Sequence, residues 1–265
     1  MTNSTEYKDI IISKENFTGT IKINRPEVYG ALTRDAKLEI IKAIRQLNRD
    51  EEVGCIILTS EGKAFCSGQD LNDRTVQGGD SSVDLGNTLE TEWNPLVNAI
   101  RESKKIVIGA LNGVCAGAGV SIALACDLIV SHPKVKFVSG FSKLGLCPDA
   151  GSTFTFTKAL GEKRALEFFL FNEPLKPEQM LDVGLINAVS EEYMQVASTW
   201  AQKVNCLAPL SVAMTKENIT VATDSTSTET MNRETASQRF LGNSQDYQEG
   251  LSAFFEKRQP KFLGK

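Results

Sequence analysis

Residues 112–119, Asn-Gly-Val-Cys-Ala-Gly-Ala-Gly, constrain the fold of this chain more than any other stretch. They follow a run of β-type residues at 105–111 and precede a helical pattern of small residues at 120–125. A strand that passes through glycines into a helix leaves backbone N–H groups without partners at the start of the helix. The helix dipole adds partial positive charge at the same point. This segment therefore predicts a strand–turn–helix unit whose turn is suited to a developing anion.

A second turn of small residues, at 64–71, follows a strand predicted at 55–59. Two such turns can each direct one N–H group at the same carbonyl oxygen, which is the arrangement of an oxyanion hole. Each turn taken alone is equally typical of ordinary turn chemistry. A nucleotide site fits less well, because Ile122 stands where the third glycine of G-x-G-x-x-G belongs. A phosphate loop also fails, since no Gly-Lys-Ser/Thr follows the turn.

The composition narrows the class of protein. The 265 residues are 41% hydrophobic and 23% charged, which predicts one large domain, or a main domain with an appendage, around a full core. A net charge of −4 argues against nucleic acid or an anionic membrane as the main partner. The six cysteines form no C-x-x-C pair and are expected to be free thiols, most of them buried. The N-terminal residues lack a signal-peptide pattern, so a cytoplasmic location is expected.

Acid–base chemistry in this chain is expected to come from a carboxylate. The only histidine, His132, lies in a Ser-His-Pro turn, so histidine-rich zinc sites and most Ser-His-Asp triads are disfavoured, and no metal site is predicted. Asp149 lies in the segment Leu-Gly-Leu-Cys-Pro-Asp-Ala-Gly at 144–151. Pro-Asp-x-Gly is also typical of a surface turn. Its apolar flanks, however, favour a carboxylate that exchanges protons near neutral pH, which makes Asp149 the best acid–base candidate.

Strands and helices alternate in the first part of the chain and predict an α/β core. A helix capped by Thr33 is expected to bury Leu38 among its apolar residues, and 72–87 is expected to be a loop. Ser152 and Thr153 are expected to cap a helix after Asp149. The predicted strands lie at 9–13, 19–24, 55–59, 105–111, 128–130 and 136–138; beyond residue 151 the predicted helices lie at 162–171, 177–183, 192–206, 209–222, 229–240 and 244–258. We expect an active-site core over residues 1–200 and a helical C-terminal region over 201–265.

Five motifs occur in the order found in one enzyme superfamily: Asn24-Arg25-Pro26-Glu27, the turn at 65–71, the segment 112–119 with Cys126-Asp127 beyond it, the segment 144–149, and the stretch 249–258. On these motifs the chain resembles the crotonase, or enoyl-CoA hydratase/isomerase, superfamily over nearly its whole length. Within it, the segments 68–74 and 141–149 are most similar to isomerases that act on ring-1,2-epoxyphenylacetyl-CoA in phenylacetate degradation.

The resemblance implies a fold and a set of site residues. The fold would be a crotonase-like spiral of ββα units with a helical C-terminal region that forms trimers, or hexamers of two trimers. The substrate would be an acyl-CoA thioester, so that CoA is part of the substrate and no separate cofactor is expected. The backbone N–H groups of Gln69 and Ala118 would hold the thioester oxygen, and Asp149 would move protons. The implied acyl-CoA-binding residues are Arg25, Ala64, Ser67, Gln69, Asp70, Leu71, Phe254 and Lys257.

The resemblance also implies a contribution from a neighbouring subunit and a pocket for the acyl group. Phe254 and Lys257 would reach the CoA of a neighbouring subunit, and their spacing of three predicts that they share one helix face. The acyl pocket would be lined by the segment 72–100, including Trp93.

The departures from the family pattern bear on the reaction. Where hydratases of the superfamily carry two glutamates, this chain has Ser121 and Phe141. The resemblance therefore implies an isomerase that converts 2-(1,2-epoxy-1,2-dihydrophenyl)acetyl-CoA to oxepin-CoA through a thioester enolate. A shift of a 3,4 double bond to the 2,3 position would be a second activity. The alternatives are a 2-enoyl-CoA hydratase that uses Asp149 alone and an inert member that only binds acyl-CoA.

Overall fold

The fold was analysed in a computed structural model, which describes residues 7–76 and 84–265, with the side chains of 74–76 excluded. The strands in this part of the chain are β1 (Ile10–Glu15), β2 (Thr18–Ile23), β3 (Cys55–Ser60), β4 (Ala64–Cys66), β5 (Ile106–Leu111), β6 (Val114–Ala116), β7 (Leu128–Ser131), β8 (Phe137–Val138) and β9 (Ala188–Val189). Among the described residues, no helix has both the length and the apolar character that crossing a bilayer requires.

The helices are α1 (Arg34–Arg49), α2 (Leu71–Val76), α3 (Leu85–Thr88), α4 (Asn94–Arg101), α5 (Ala118–Ala125), α6 (Ser152–Phe171), α7 (Pro177–Asp182), α8 (Tyr193–Asn205), α9 (Pro209–Ala222), α10 (Ser227–Leu241) and α11 (Gln245–Glu256). A π-helical turn, Leu89–Trp93, joins α3 to α4. The prediction of a loop at 72–87 is wrong at both ends of that range, where the chain forms α2 and α3. The centre of the predicted loop lies outside the described residues.

A six-stranded sheet in the order β1-β2-β3-β5-β7-β9 forms the centre of the fold. Only the β1–β2 pair is antiparallel. All six residues of β3 are buried, as expected for a parallel strand covered on both faces. Cys55 and Ile57 pack with Ala197 and Ala201 of α8 on one face, while the alternate residues of β3 face the cluster that includes α1 and α4.

A second, three-stranded parallel sheet in the order β4-β6-β8 explains how the turns meet. Each of its strands follows a strand of the large sheet within a few residues: β3 leads to β4, β5 to β6, and β7 to β8. The chain thus repeats a unit of two strands and a helix three times. The sequence pattern predicted β8, within 136–138, but missed β4, β6 and β9. Strands β4 and β6 lie inside the two segments interpreted as turns, and β9 has only two residues, too few to show an alternation of apolar and polar side chains.

Helix α1 has the predicted cap but a different buried face. The Thr33 hydroxyl accepts a hydrogen bond from the N–H of Ala36, as an N-cap residue should. Leu38, expected to be buried, is 42% exposed, whereas Lys37 is completely buried. The expectation failed because the apolar face is centred on Ile40, Ile41 and Ile44, and Lys37 falls on that face by spacing.

Helix α6 confirms the helix expected after Asp149, though not its cap. It starts at Ser152 and is interrupted at Gly161, which has φ 73° and ψ 167°. The second part of α6 therefore corresponds to the helix predicted at 162–171. The expected cap by Ser152 and Thr153 is wrong: Gly151 is the N-cap residue and supplies no side chain, and Ser152 is already helical.

A mostly buried ion pair connects the C-terminal helices to the core. Lys216 of α9 lies 2.7 Å from Asp127 and donates to the carbonyl of Ile100 at the end of α4. Burial raises the pKa of Asp127, although the Lys216 ammonium opposes that shift. Ser244 caps α11 by accepting from the N–H of Tyr247. The expected boundary after residue 200 falls inside α8, which also covers the large sheet.

Candidate active site

The small sheet brings the two glycine-containing turns into backbone contact. Strands β4 and β6 are parallel, so the segments that follow them leave the sheet at the same edge. A Cβ atom added at Gly68 would lie 3.0 Å from the Ala116 carbonyl oxygen and 3.5 Å from the Ala118 nitrogen. A Cβ atom at Gly119 would overlap the backbone carbonyl of Cys66. Glycine is therefore required at both positions for the two turns to approach each other.

The backbone N–H of Gln69 is directed away from its neighbouring strand. The Leu32 N–H donates to the Gly68 carbonyl at 2.8 Å, and the Asp70 N–H donates to the Leu32 carbonyl at 3.0 Å. In such a parallel bridge the intervening residue points its own N–H to the opposite side. Ala118 is the first residue of α5, so its N–H has no partner within the helix. Within the described chain, neither N–H donates to a protein acceptor.

The turn that carries Asp149 is attached to the same helix. The Ser121 hydroxyl, one turn into α5, donates to the Asp149 carbonyl at 3.1 Å. The hydroxyl and the N–H of Ser152 donate to that carbonyl at 2.8 and 3.0 Å. The carboxylate oxygen Oδ1 of Asp149 is buried away from solvent. The structure thus brings together, around the start of α5, the three residues for which the sequence predicts catalytic roles.

The backbone after Asp149 is in an unusual conformation. Ala150 has φ 49° and Gly151 has φ 81°, so two consecutive residues occupy the left-handed region. A non-glycine residue there is disfavoured, and such residues cluster at sites whose geometry the surroundings over-determine. Ala150 is buried, which is consistent with packing that holds this turn in place.

Ser121 and Phe141 lie beside the glycine turn. Both are buried. A Cβ atom at Gly117 would lie 4.0 Å from Cζ of Phe141. These two positions, which the resemblance equates with the glutamates of hydratases, thus contribute a hydroxyl already bonded to a carbonyl and an apolar ring.

The residues expected to bind acyl-CoA fall into two groups. One surrounds Gln69: Ala64 is buried in β4, Ser67 donates to the Val28 carbonyl at 3.4 Å, Asp70 caps α2 through the Asn72 N–H, and Leu71 is exposed. The guanidinium of Arg25 is mostly buried and lies 3.0 Å from Asp70 and 3.3 Å from Asp9. It is thus engaged by two carboxylates of its own chain.

The second group lies at the end of α11. Phe254 is 76% exposed and touches Phe255 edge to face. Lys257 lies just beyond the helix with φ 54°, because α11 ends at Glu256. The expected helix to residue 258, and a shared helix face for Phe254 and Lys257, are therefore wrong. Within the described residues, neither side chain forms a hydrogen bond or ion pair with the two turns.

Sequence reasoning missed one residue of the site, Lys37. Its ammonium donates to Oε1 of Gln69 at 2.8 Å. Trp93, expected to line the acyl pocket, is 1% exposed and donates from its indole nitrogen to the same oxygen at 3.1 Å. The available signal was a lysine placed on the apolar face of α1, since a charge there needs a buried partner.

The other polar residues of the described chain suggest neither a metal site nor a reactive thiol in the turns. No group of three or more His, Cys, Asp or Glu side chains there could hold a metal ion. Cys66, in β4, is buried, and its burial raises the pKa of the thiol to about 12. All six cysteines are free, and only Cys147 and Cys206 are exposed.

Comparison with known proteins finds similar sequences over nearly the whole chain. A family model described as enoyl-CoA hydratase/isomerase matches residues 13–265. The 1,2-epoxyphenylacetyl-CoA isomerase of Escherichia coli K12 is 37% identical over 248 residues, 93% of this chain and 95% of that protein. A probable enoyl-CoA hydratase of Rhodobacter capsulatus is 34% identical over 249 residues, 92% of this chain and 94% of that protein.

A solved structure described as enoyl-CoA hydratase subunit I from Geobacillus kaustophilus HTA426 has a TM-score of 0.90 at 32% identity. It covers 98% of this chain and 100% of its own. The expected fold class, an α/β fold of ββα units with a helical C-terminal region, is thereby confirmed. Its strands form two sheets.

Proposed function

This chain belongs to the enoyl-CoA hydratase/isomerase family, and on that premise we propose that it is an acyl-CoA isomerase. One observation carries the proposal. Of the three positions around the start of α5 that the resemblance equates with catalytic carboxylates of the family, only Asp149 carries one, since Ser121 and Phe141 are a buried hydroxyl and a buried ring. Hydration needs a water held and activated at the acyl chain, for which a second carboxylate is the expected group.

The proposed oxyanion hole consists of the N–H groups of Gln69 and Ala118. Two donors aimed at one thioester oxygen stabilise the enolate formed when a proton leaves the adjacent carbon. Support comes from the backbone contact of the two turns and from the lack of a protein acceptor for either N–H among the described residues. Loss of one such donor typically lowers kcat by about 10²–10³-fold.

Asp149 is proposed to move the proton. Isomerisation removes a proton from one carbon of the acyl group and returns one to another, so the atoms of substrate and product are the same. A single carboxylate can act first as base and then as acid, which matches a site with one carboxylate. We propose 2-(1,2-epoxy-1,2-dihydrophenyl)acetyl-CoA as the substrate and oxepin-CoA as the product, supported by the 37% identity to the Escherichia coli isomerase. In this ring expansion the carbon–carbon bond shared by the epoxide and the six-membered ring breaks, and its electron pair becomes part of the double bonds of the seven-membered ring. The proton leaves the carbon next to the thioester and is returned to a ring carbon. A shift of a 3,4 double bond to 2,3 would use the same groups.

Acyl-CoA is proposed to lie against the residues around Gln69, with Phe254 and Lys257 supplied to the CoA by a neighbouring subunit. A homotrimer, or a hexamer of two trimers, would provide that neighbour. The proposal is supported by large apolar side chains that remain exposed on the helices beyond residue 151: Leu166, Leu170, Phe171, Ile219, Phe240 and Phe254. A single chain that left these in water would present an unusually apolar surface.

A substrate panel tests the proposal. The purified protein is given the epoxide thioester, a 3-enoyl-CoA and a 2-enoyl-CoA, and products are identified by mass and absorbance. We expect a product of unchanged mass from the epoxide. Rapid addition of water to the 2-enoyl-CoA would instead support the alternative function, an enoyl-CoA hydratase, which is the activity in the name of the Rhodobacter relative. No turnover of any of the three would support an inert acyl-CoA-binding protein.

A further inference from the structure

Lys37 is a completely buried cation next to the proposed oxyanion hole. Its ammonium forms an ion pair with Glu92, donates to Gln69 and lies 4.6 Å from the centre of the Trp93 ring. Burying a charge is costly unless it is paired and hydrogen-bonded. A sequence with an apolar residue at this position of α1 would avoid that cost. The groups that contact Lys37 therefore indicate the role of its charge.

The side chain of Gln69 is held at both of its polar atoms. Its oxygen accepts from Lys37 at 2.8 Å and from the indole N–H of Trp93 at 3.1 Å, and its nitrogen donates to the Asp70 carbonyl at 3.1 Å. A glutamine with both ends bonded has little torsional freedom. Because the backbone N–H of the same residue is the proposed donor, fixing the side chain also fixes the direction of that N–H.

The π-helical turn Leu89–Trp93 supplies two of these contacts. Glu92 and Trp93 are consecutive residues, yet both reach Lys37. The turn lies between α3 and α4, and Trp93 then packs in the core with Leu96 and Ile100 of α4. Such turns within helices are frequent at functional sites. Here the turn anchors the Gln69 side chain to the core.

A second anchor holds the backbone on the other side of Gln69. Asp70 pairs with Arg25, and the Leu32 backbone bonds to Gly68 and Asp70. Gln69 is the residue between these anchors. An ångström of misplacement at a catalytic group can lower the rate by about 10²-fold, so this rigidity has kinetic value.

We propose that Lys37 and Trp93 are positioning residues, which act through the Gln69 side chain to keep its backbone N–H aimed at the thioester oxygen. Glu92 serves the same arrangement by compensating the charge of Lys37. The inference rests on the proposed function in one respect, that the Gln69 N–H is an oxyanion-hole donor. It adds a side-chain network to a hole made of backbone groups.

The test compares three variants with the unchanged protein. Trp93→Phe keeps a buried ring and removes one donor to Gln69. Lys37→Met, made together with Glu92→Gln, removes both charges without leaving an orphan ion. Lys216→Met, made together with Asp127→Asn, is the matched control, because it likewise removes both charges of a buried lysine–carboxylate pair, and this pair makes no contact with Gln69. The probe is 4-(dimethylamino)cinnamoyl-CoA, whose absorbance moves to longer wavelength when its thioester oxygen accepts hydrogen bonds.

We expect the unchanged protein to shift the absorbance of the probe and the Lys216/Asp127 variant to retain that shift. Trp93→Phe should reduce the shift and lower kcat about tenfold, and the Lys37/Glu92 variant should lower kcat about 10²-fold, both with little change in KM. A full shift and full kcat in Trp93→Phe would overturn the inference, as would equal losses in the Lys216/Asp127 variant. If the unchanged protein binds the probe without any shift, the proposed oxyanion hole itself is wrong, which is a separate result.

Discussion

Asp149 is the residue on which the proposed reaction depends most. Its turn is held by two serines through the carbonyl, so the position of the carboxylate is set by backbone bonds that a side-chain change leaves intact. The neighbouring positions Ser121 and Phe141 offer no second carboxylate. The acid–base role is therefore concentrated in one group.

Asp149→Asn should lower isomerase kcat by at least about 10²-fold, because an amide of the same shape cannot exchange a proton. Acyl-CoA affinity and the melting temperature should stay close to those of the unchanged protein. Steady-state kinetics measures kcat, and calorimetry measures acyl-CoA binding and the melting temperature. Asp182→Asn, on the exposed surface of α7, is the control and should be fully active. Retention of more than about a tenth of kcat in Asp149→Asn would point to another base.

Gly119 allows the backbones of the two turns to come into contact. Gly119→Ala should destabilise the fold by about 1–3 kcal/mol, since the new methyl group overlaps the Cys66 carbonyl, and should reduce activity by separating the two turns. Gly250→Ala is the control: its methyl would meet Phe262 at 3.7 Å, an ordinary contact, in the helix α11. Equal stability of both variants in denaturant unfolding would show that the turns can move apart at no cost.

Two carboxylates of helix α11, Glu249 and Asp246, bind the C-terminal tail that follows the helix. Arg258 meets both oxygens of Glu249 at 2.6 and 2.9 Å, and the Lys261 N–H donates to the same carboxylate at 2.7 Å. The Leu263 and Gly264 N–H groups donate to Asp246. The tail is thereby folded back along the helix that carries Phe254.

The Arg258 guanidinium and the Lys261 N–H lower the pKa of Glu249 to about 2. Because the folded pKa is below that of the unfolded chain, about 4.3, the stabilising effect is complete above pH 4.3 and is lost as the pH falls towards 2. Carbon NMR of labelled glutamate should find Glu249 ionised at pH 4. Arg258→Gln should raise the pKa of Glu249 only part of the way back, because the Lys261 N–H still donates to the carboxylate. Protonation of Glu249 at pH 4 in the unchanged protein would contradict the described ion pair.

Longer elements were predicted from the sequence more readily than short ones, with the two-residue strand β8 as an exception. Helix α1 and strands β3 and β5 carry enough apolar residues for their periodicity to be read directly. Strands β4, β6 and β9 have three residues or fewer, and the small sheet exists only through pairing between segments about fifty residues apart. Motif order still predicted that Gln69, Ala118 and Asp149 belong to one site. Lys37 was missed because a lysine in a helix ordinarily lies in water, and only tertiary contacts with Glu92 and Gln69 explain its burial.

For the whole molecule, the proposal is that function and assembly are linked through α11. Phe254 and Phe255 are each 76% exposed, and Lys257 follows them at the end of the helix. Residues of this kind suit contact with a ligand held by another subunit, because an aromatic ring can pack on a base and a lysine can meet a phosphate.

Lys257→Ala should raise KM for acyl-CoA severalfold with kcat little changed, and the effect should shrink as salt rises. Lys203→Ala, an exposed lysine on α8, is the control. Truncation after Asn243 removes α11 and should weaken assembly and activity together, as measured by sedimentation and kinetics. A fully active monomer, or an unchanged KM for Lys257→Ala at low salt, would contradict the shared site.

The backbone origin of the two N–H donors has a consequence for how this scaffold can diversify. Every amino acid except proline carries a main-chain N–H, so substitution at Ala118 leaves the proposed donor chemically present. Substitution at Gln69 also leaves the N–H, although it removes the side chain proposed to aim it. On the proposed function, changes at Ser121, Phe141 and Asp149 alter which protons and which water are handled. The groups that stabilise an enolate would thus survive most substitutions, while the groups that select the reaction would not. A new activity can arise in this architecture by single side-chain changes, without rebuilding the means of stabilising an enolate.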